Sequence, residues 1–564
     1  MSEPRPTDHP DSVSDPSLPE AAAEAGAGSP GLSRRGLLAG ASALGLAAGV
    51  ATGGPASAVP AGLWPSVSAP SRPGEIVEWD AAALSAAIRR RVVTCVQVME
   101  AYLDQIDRLN PQVNAIVNLR PRADLLAEAR AKDDLLAAGT YQGWMHGFPQ
   151  AVKDLANVAG QKTTLGFFRP PFDAAPAAAD ALFVERVRAA GAIFVGKTNT
   201  PEFGLGSNTY NNVFGATGNA YDPTKTAGGS SGGAAVAVAL RMLPVADGSD
   251  FFGSLRNPPG WNNVLGLRPS FGRVPGNNSD AFVQQGGLEG PIARTALDLA
   301  LLLRTMSGYD ARAPLSIEQD PAPLTDLRGS QRGKKVAWMG DLGGYLPMEP
   351  EVLDVTGRAV ETFARLGMEV TRLDALPSFG SFTGNADLWP TWLIYRHWLI
   401  GGILKPLYDN PTFRAAMKPE AIYEVDGLLT GADGNPAISG LDAWNGSVKR
   451  TAMYQAFRTL FQTYDYVVLP TAQLFPFDVT IPWPQSIEGV AMSSYHRWME
   501  VTAVGTLLNA PTIALPAGFG AAGLPIGLQV IGRNHDDFSL LDLAAAYERR
   551  TRWVQRRRPP LLDA

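Results

Sequence analysis

Gly228-Gly229-Ser230-Ser231-Gly232-Gly233 runs directly into Ala234-Ala235-Val236-Ala237-Val238-Ala239, and Gly248-Ser249-Asp250-Phe251-Phe252-Gly253-Ser254-Leu255-Arg256 follows shortly after. Glycines on both sides of a serine pair open backbone geometries closed to other residues. The Ala/Val run beginning at Gly232 reads as a helix whose N-terminus faces the serines, an arrangement that favours developing negative charge. A glycine-serine run alone is an ordinary flexible turn. This one has company upstream: Gly147-Phe148-Pro149-Gln150-Ala151-Val152-Lys153-Asp154 reads as a short apolar strand that buries a lysine. One lysine and two serines are the minimum for a hydrolase that activates a serine without histidine.

The chemistry sets conditions on each of them. An isolated serine hydroxyl is a poor nucleophile and needs a base within hydrogen-bond reach. Lysine serves as that base only when uncharged, and at an ordinary pKa of about 10.4 it is not. Burial disfavours the ammonium; Val152 beside Lys153 fits burial, whereas Asp154 would oppose the shift if its carboxylate pointed the same way. Lys153 then needs a polar relay to reach a nucleophile, and Ser230 is the candidate. Of the five histidines, His9 falls in the leader, while His146, His397, His496 and His535 form no metal-spacing pair and sit in no recognisable motif. That argues against a Ser-His-Asp arrangement. Cys95 is the only cysteine, which excludes an intrachain disulfide and a cysteine-built zinc site. No metal and no cofactor are expected.

Outward from these motifs, helices alternate with short β-branched strands, the pattern of an α/β fold. Apolar positions from Asp80 to Asn110 recur at helical spacing, with Asn110-Pro111 ending the run. Ala123–Ala138 and Phe183–Ala190 read as helices, the second stopped by Gly191, and Ala192–Val195 as a strand. The alternation returns at Lys335–Met339, Glu351–Leu366 and Glu369–Leu373. It returns again at Tyr466–Leu469, Thr512–Leu515 and Gly527–Ile531, and a last helix spans about Phe538–Arg550. The segment 378–445 differs: it carries Trp389, Trp392, Tyr395, Trp398, Tyr408 and Trp444. It reads as a helical excursion with a buried aromatic face, or as a lid or tunnel wall for an apolar acyl or aryl group.

At 564 residues and 45% apolar content the chain can bury a large core. Its net charge of -6 and scattered basic residues give no concentrated basic face, so no nucleic-acid partner is expected. Ser33-Arg34-Arg35-Gly36-Leu37-Leu38 reads as a twin-arginine export signal, followed by a weakly apolar run to about Thr52 and a small-residue cleavage site at Ala56-Ser57-Ala58. Residues 1–58 are therefore expected to be a disordered leader with a signal peptide, and 59–76 a linker. The expected destination is the periplasm, cell wall or medium of a bacterium, with no stable membrane insertion after processing.

The serine-glycine motif, Ser254-Leu255-Arg256 and Lys153 together resemble the amidase signature family. Gly196–Phe203, Gly266–Pro275 and Gly523–Gln529 match further segments of that family, and the resemblance runs from about Val77 to about Arg550. It implies one large α/β domain over 77–555, a central mixed twisted sheet covered by helices, with 378–445 as the variable substrate-side part. It implies Lys153 as base, Ser230 as relaying serine after a cis peptide, and Ser254 as the nucleophile that forms an acyl-enzyme. The oxyanion hole would be the backbone N–H groups of Phe251, Phe252, Gly253 and Ser254. Gly204, Ser230, Trp389 and Trp392 are expected on the substrate side. The family's usual Gly-Thr-Asp-x-Gly-Gly-Ser is here Gly248-Ser249-Asp250-Phe251-Phe252-Gly253-Ser254. Phe252 keeps the amide but forbids easy positive φ and brings a large ring toward the acyl carbonyl. Arg256 is expected to anchor the loop and Asp250 to pair with it. The implied activity is hydrolysis of small-molecule amides, with anilides, esters or carbamates open to the same path. A homodimer is a matter of family analogy only. Two alternatives stand beside it: an amidotransferase subunit supplying ammonia to mischarged transfer RNA, and a catalytically silent binding protein on the same scaffold.

Overall fold

The computed structural model describes residues 65, 67–276, 280–283 and 285–563; the leader expected over 1–58 lies outside the described residues. Eleven strands make the two larger sheets: β1 (Ile116–Val117), β2 (Pro149–Lys153), β3 (Ile193–Thr198), β4 (Ala246–Asp250), β5 (Leu265–Arg268), β6 (Leu288–Ala293), β7 (Lys335–Trp338), β8 (Glu369–Arg372), β9 (Tyr466–Pro470), β10 (Thr512–Phe519) and β11 (Pro525–Ile531). Eight of them form the expected mixed sheet, in the order β8-β7-β9-β11-β10-β5-β6-β4. Only β8/β7 and β9/β7 pair in parallel; every other neighbour is antiparallel. Strand β2, which carries Lys153, belongs instead to a separate three-stranded sheet of order β1-β3-β2. It packs on β4 at the end of the large sheet. Lys153 and the Ser254 loop after β4 thus come from different sheets that meet there.

The central strands are apolar on both faces, as the near-continuous runs in β9, β10 and β11 require, and every residue of β9 and β11 is buried. Helices Ala296–Met306, Pro350–Arg365 and Asp537–Thr551 cover the sheet through faces built from Leu, Ala, Val and Phe. Among the described residues no helix is long and apolar enough to cross a membrane.

The expected long helix from Asp80 to Asn110 is two helices, Ala81–Arg89 and Cys95–Val113. The chain turns at Arg91, which has φ +57°, and restarts at Thr94, whose side chain forms a capping box with Gln97. Periodicity carried across the break because both helices bury the same kind of face. Pro111 does not end the second helix but sits inside its last turn. Asn114 ends it in the left-handed conformation, φ +52°.

The aromatic-rich segment is helical as expected. It comprises Asn385–Arg396, a π-turn at His397–Gly401, then Gly402–Tyr408, Pro411–Ala416 and Pro419–Leu429. Trp392 is fully buried and Trp389 nearly so.

Candidate active site

The serine motif is built by close packing. The peptide Gly229-Ser230 is cis, and the helix Gly232–Ala239 follows with Ser231 as its N-cap residue. At Gly233 the chain passes tightly against other backbone: a Cβ there would stand 2.4 Å from the Asn199 amide nitrogen and 2.5 Å from the Ala115 carbonyl oxygen. No other residue fits that contact. Gly204, at φ +73°, lies beside Ser230, and a Cβ there would meet Leu155 Cδ1 at 2.8 Å.

Lys153 ends β2 with its side chain sealed among hydroxyls. Its Nζ donates to Ser230 Oγ at 2.7 Å, Ser231 Oγ at 2.9 Å, Ser249 Oγ at 2.9 Å and the Ser249 carbonyl at 3.3 Å. Ser230 Oγ in turn donates to Ser254 Oγ at 3.0 Å. The three expected residues therefore form one hydrogen-bonded chain from amine to candidate nucleophile. Burial pulls the Lys153 pKa down to about 7, against an opposing pull from Glu289, Asp250 and Asp247. Asp154 does not oppose the shift: its carboxylate accepts the Thr164 N–H at 3.1 Å and the Thr164 hydroxyl, and it faces Lys197. The helix N-terminus at Ser231 stands next to the amine and further disfavours a positive charge there.

The loop bearing Ser254 is pinned by charge. Arg256 reaches both oxygens of Asp250 at 3.0 Å, and Arg268 Nη1 reaches the Asp250 carbonyl at 2.5 Å. Burial alone would raise the Asp250 pKa, but the two guanidiniums hold it well below the usual carboxylate range. The expected anchoring by Arg256 is what the structure has, with Arg268, part of the Gly266–Pro275 segment but given no role from the sequence, as a second arm. Inside the loop, the Gly253 and Leu255 N–H groups donate to the Asp250 carboxylate at 2.9 and 3.0 Å. One of the four expected oxyanion donors, Gly253, is thereby turned inward. The N–H groups of Phe251, Phe252 and Ser254 donate to no described residue. Gly253 has φ +97° and faces Thr502 so closely that a Cβ would clash at 2.9 Å.

Phe251 and Phe252 tie this loop to the helix Asn385–Arg396. Phe252 stacks on Trp392 at 3.8 Å with an interplanar angle of 10°, and Trp389 lies 6.5 Å away. Phe251 packs on Trp392 and Tyr395, with the Arg396 guanidinium 5.0 Å from its ring. Trp389 and Trp392 thus stand next to the Ser254 loop, through Phe252. His496 completes this aromatic cluster, buried between Trp389, Tyr495 and Phe252, with Nδ1 3.0 Å from Ser494 Oγ. Burial holds it neutral, and it makes no hydrogen bond to Ser254. Ser231, Ser249 and His496 were not singled out from the sequence. The two serines lay inside the quoted motifs, where residue type gives no sign of which hydroxyl faces the amine.

The Amidase family model matches residues 97–384 and 438–541. An acylamidase from Rhodococcus erythropolis is 33% identical over 467 residues, covering 82% of this chain and 93% of the relative. A glutamyl-tRNA(Gln) amidotransferase subunit from Thermosynechococcus vestitus is 32% identical over 493 residues, covering 83% of this chain and 96% of the relative. The crystal structure of a bacterial aryl acylamidase of the amidase signature family matches with a TM-score of 0.76 at 28% identity, over 86% of this chain and 98% of that one. This chain therefore belongs to the amidase signature family of amide-hydrolysing enzymes.

Proposed function

We propose that the enzyme cleaves the carbon–nitrogen bond of small amides through an acyl-enzyme on Ser254, with Lys153 as base and Ser230 as relay. The observation that carries this is the continuous contact from Lys153 Nζ through Ser230 Oγ to Ser254 Oγ, at 2.7 and 3.0 Å. With the amine uncharged, both contacts reverse direction, since hydroxyl hydrogens rotate freely. Ser254 gives its proton to Ser230 as Ser230 gives its own to Lys153, and Ser254 Oγ attacks the amide carbonyl. The carbonyl oxygen gains the negative charge beside the N–H groups of Phe251, Phe252 and Ser254. The proton returns along the same path to the leaving amine, and water then releases the acid by the same steps.

The substrate reading is an amide with an apolar acyl or aryl group. Two things support it: the wall of Phe252, Trp392 and Trp389 next to the nucleophile loop, and the acylamidase and aryl acylamidase among the relatives. Anilides, esters and carbamates fit the same path. The amidotransferase relatives favour a second reading, in which the chain liberates ammonia within a larger assembly. Steady hydrolysis of amides by the purified chain, with no other protein present, decides for the first reading. Fluorophosphonate labelling that is lost in Ser254→Ala tests the nucleophile; a folded protein that takes no label would return the silent-scaffold alternative. We also propose export by the twin-arginine route, on the strength of Arg34-Arg35 and the run that follows. A reporter fused to residues 1–58 should leave the cytoplasm, and Arg34→Lys with Arg35→Lys should retain it. Equal export of both fusions would overturn that assignment.

A further inference from the structure

Three carboxylates surround Lys153, and two have partners of their own. Asp250 lies between Arg256 and Arg268. Asp247 accepts the backbone N–H of Lys153 at 3.0 Å and the Gln150 side-chain amide at 3.2 Å. The Glu289 side chain makes no hydrogen bond and no close ion pair with any described residue. It sits on β6 directly opposite Ser249 of β4 in the antiparallel register, so the two side chains leave the same face of the sheet. Ser249 is also the residue that holds Lys153 from that face, through both its hydroxyl and its carbonyl. Glu289 is only half-buried. It borders a cavity of about 40 Å3 beside Phe271, Val274, Ala313 and Leu315, room for about three waters at roughly 10–15 Å3 each. A carboxylate so placed exchanges protons with water while projecting its field onto a sealed amine.

The other charged groups nearby are turned elsewhere. Lys197 of β3 donates to Ala156 O and to Thr163 Oγ1 at 3.1 Å, and Asp154 faces Thr164. Arg256 and Arg268 are held by Asp250, and Asp280 across the cavity accepts the N–H groups of Phe282 and Val283.

We infer that Glu289 is a positioning residue for the reaction: its charge, acting across the Ser249–Glu289 pair, decides the pH at which Lys153 releases its proton. This rests on Lys153 being the base. A lysine sealed from every anion would stay neutral but would hold too weakly the proton it must return to the leaving amine. The carboxylate brings it back toward the working range. Burial pulls Lys153 down to about 7 and pushes Glu289 up to about 7, each countered by the other, so the two titrate as a pair.

The test is the pH dependence of fluorophosphonate labelling of Ser254, with each variant's rate referred to its own high-pH plateau. Glu289→Gln removes the charge at equal size, so the ammonium loses a stabilising anion. The acid limb should then move to lower pH by about one unit. Glu289→Ala, whose lost volume opens onto the existing cavity, should give the same shift if Glu289→Gln does not fold. Glu289→Asp keeps a charge and should keep the limb closer to the wild-type position. A purely structural role would change thermal stability and the plateau and leave the limb in place, and that result overturns the proposal. If Lys153→Met labels as fast as the wild type, or the wild type takes no label, the lysine reading falls and this inference falls with it. Labelling that needs Lys153 but ignores Glu289 overturns the role of Glu289 alone.

Discussion

Lys153 and Arg256 are both buried cations of one site, and the fold treats them in opposite ways. Arg256 meets a carboxylate in a two-pronged contact, and its remaining donors reach Thr502 O, Gln529 Oε1 and Thr506 Oγ1. Lys153 Nζ meets three hydroxyls and one carbonyl. Burial costs both charges dearly, and only the arginine recovers the loss through a paired anion. Arginine cannot shed its proton, whereas a desolvated lysine can. The same burial therefore makes a fixed anchor in one place and a titratable amine in the other. What separates structure from chemistry here is the neighbour's charge, not the depth.

Activity should divide the two regions most widely. Ser254→Ala is expected to lower kcat by about 10^4-fold or more, and Lys153→Met by about 10^3- to 10^4-fold. Both substitutions should leave the protein folded, because Lys153→Met replaces a strained charge with an apolar chain of similar length. Arg256→Leu should do the reverse and act first on stability. It leaves Asp250 short of its two-pronged partner, a loss of about 3–5 kcal/mol, read as a lower urea midpoint. Equal unfolding by Lys153→Met and Arg256→Leu would break the contrast.

The pH profile sharpens it. Below a pKa of about 7 Lys153 keeps its proton and cannot accept one; above it the amine is free. Amide hydrolysis measured as kcat/KM should therefore rise with pH, roughly tenfold per unit on the acid side, and level off above neutrality. Asp250 stays ionised across that range because its guanidinium partners hold it down, so it should add no limb of its own. A flat profile from about pH 5 to 9 would sink the lysine as base.

Much of this was legible in the chain, and for a definite reason. Lys153, Ser230 and Ser254 sit in glycine-rich or apolar motifs whose residue types are dictated by backbone contact, as the 2.4 Å approach at Gly233 illustrates. The alternation of helices and strands was equally readable, because burial repeats with the period of each element. What stayed hidden depends on register. Glu289 belongs to no motif; its link to Lys153 exists only because β4 and β6 pair Ser249 with Glu289. The break at Arg91 hid behind unbroken helical spacing, and the inward turn of the Gly253 amide hid behind a motif that promised four donors. Nor does any periodicity reveal that β2 leaves the large sheet for a small one.

The smallest expected effect concerns the one contact that joins the charged loop to the aromatic helix. Phe252 lies nearly parallel to Trp392 at 3.8 Å, and such a pair contributes about 0.5–1.5 kcal/mol beyond its buried area. Phe252→Leu keeps an apolar side chain and the backbone amide, so the oxyanion geometry and the Lys153 relay should survive. Stability should fall by roughly 1–2 kcal/mol, from the lost stacking and a small packing defect. Selectivity should move as well: the ratio of kcat/KM for a bulky aryl amide over a short alkyl amide should change by about tenfold, the low end for one pocket contact. The effect should stay local, since Phe251 still packs on Trp392 and on Tyr395. If the variant instead lost activity toward every amide alike, Phe252 would be holding the loop itself. The wall and the anchor would then be one device, and the division drawn between them would have to be moved.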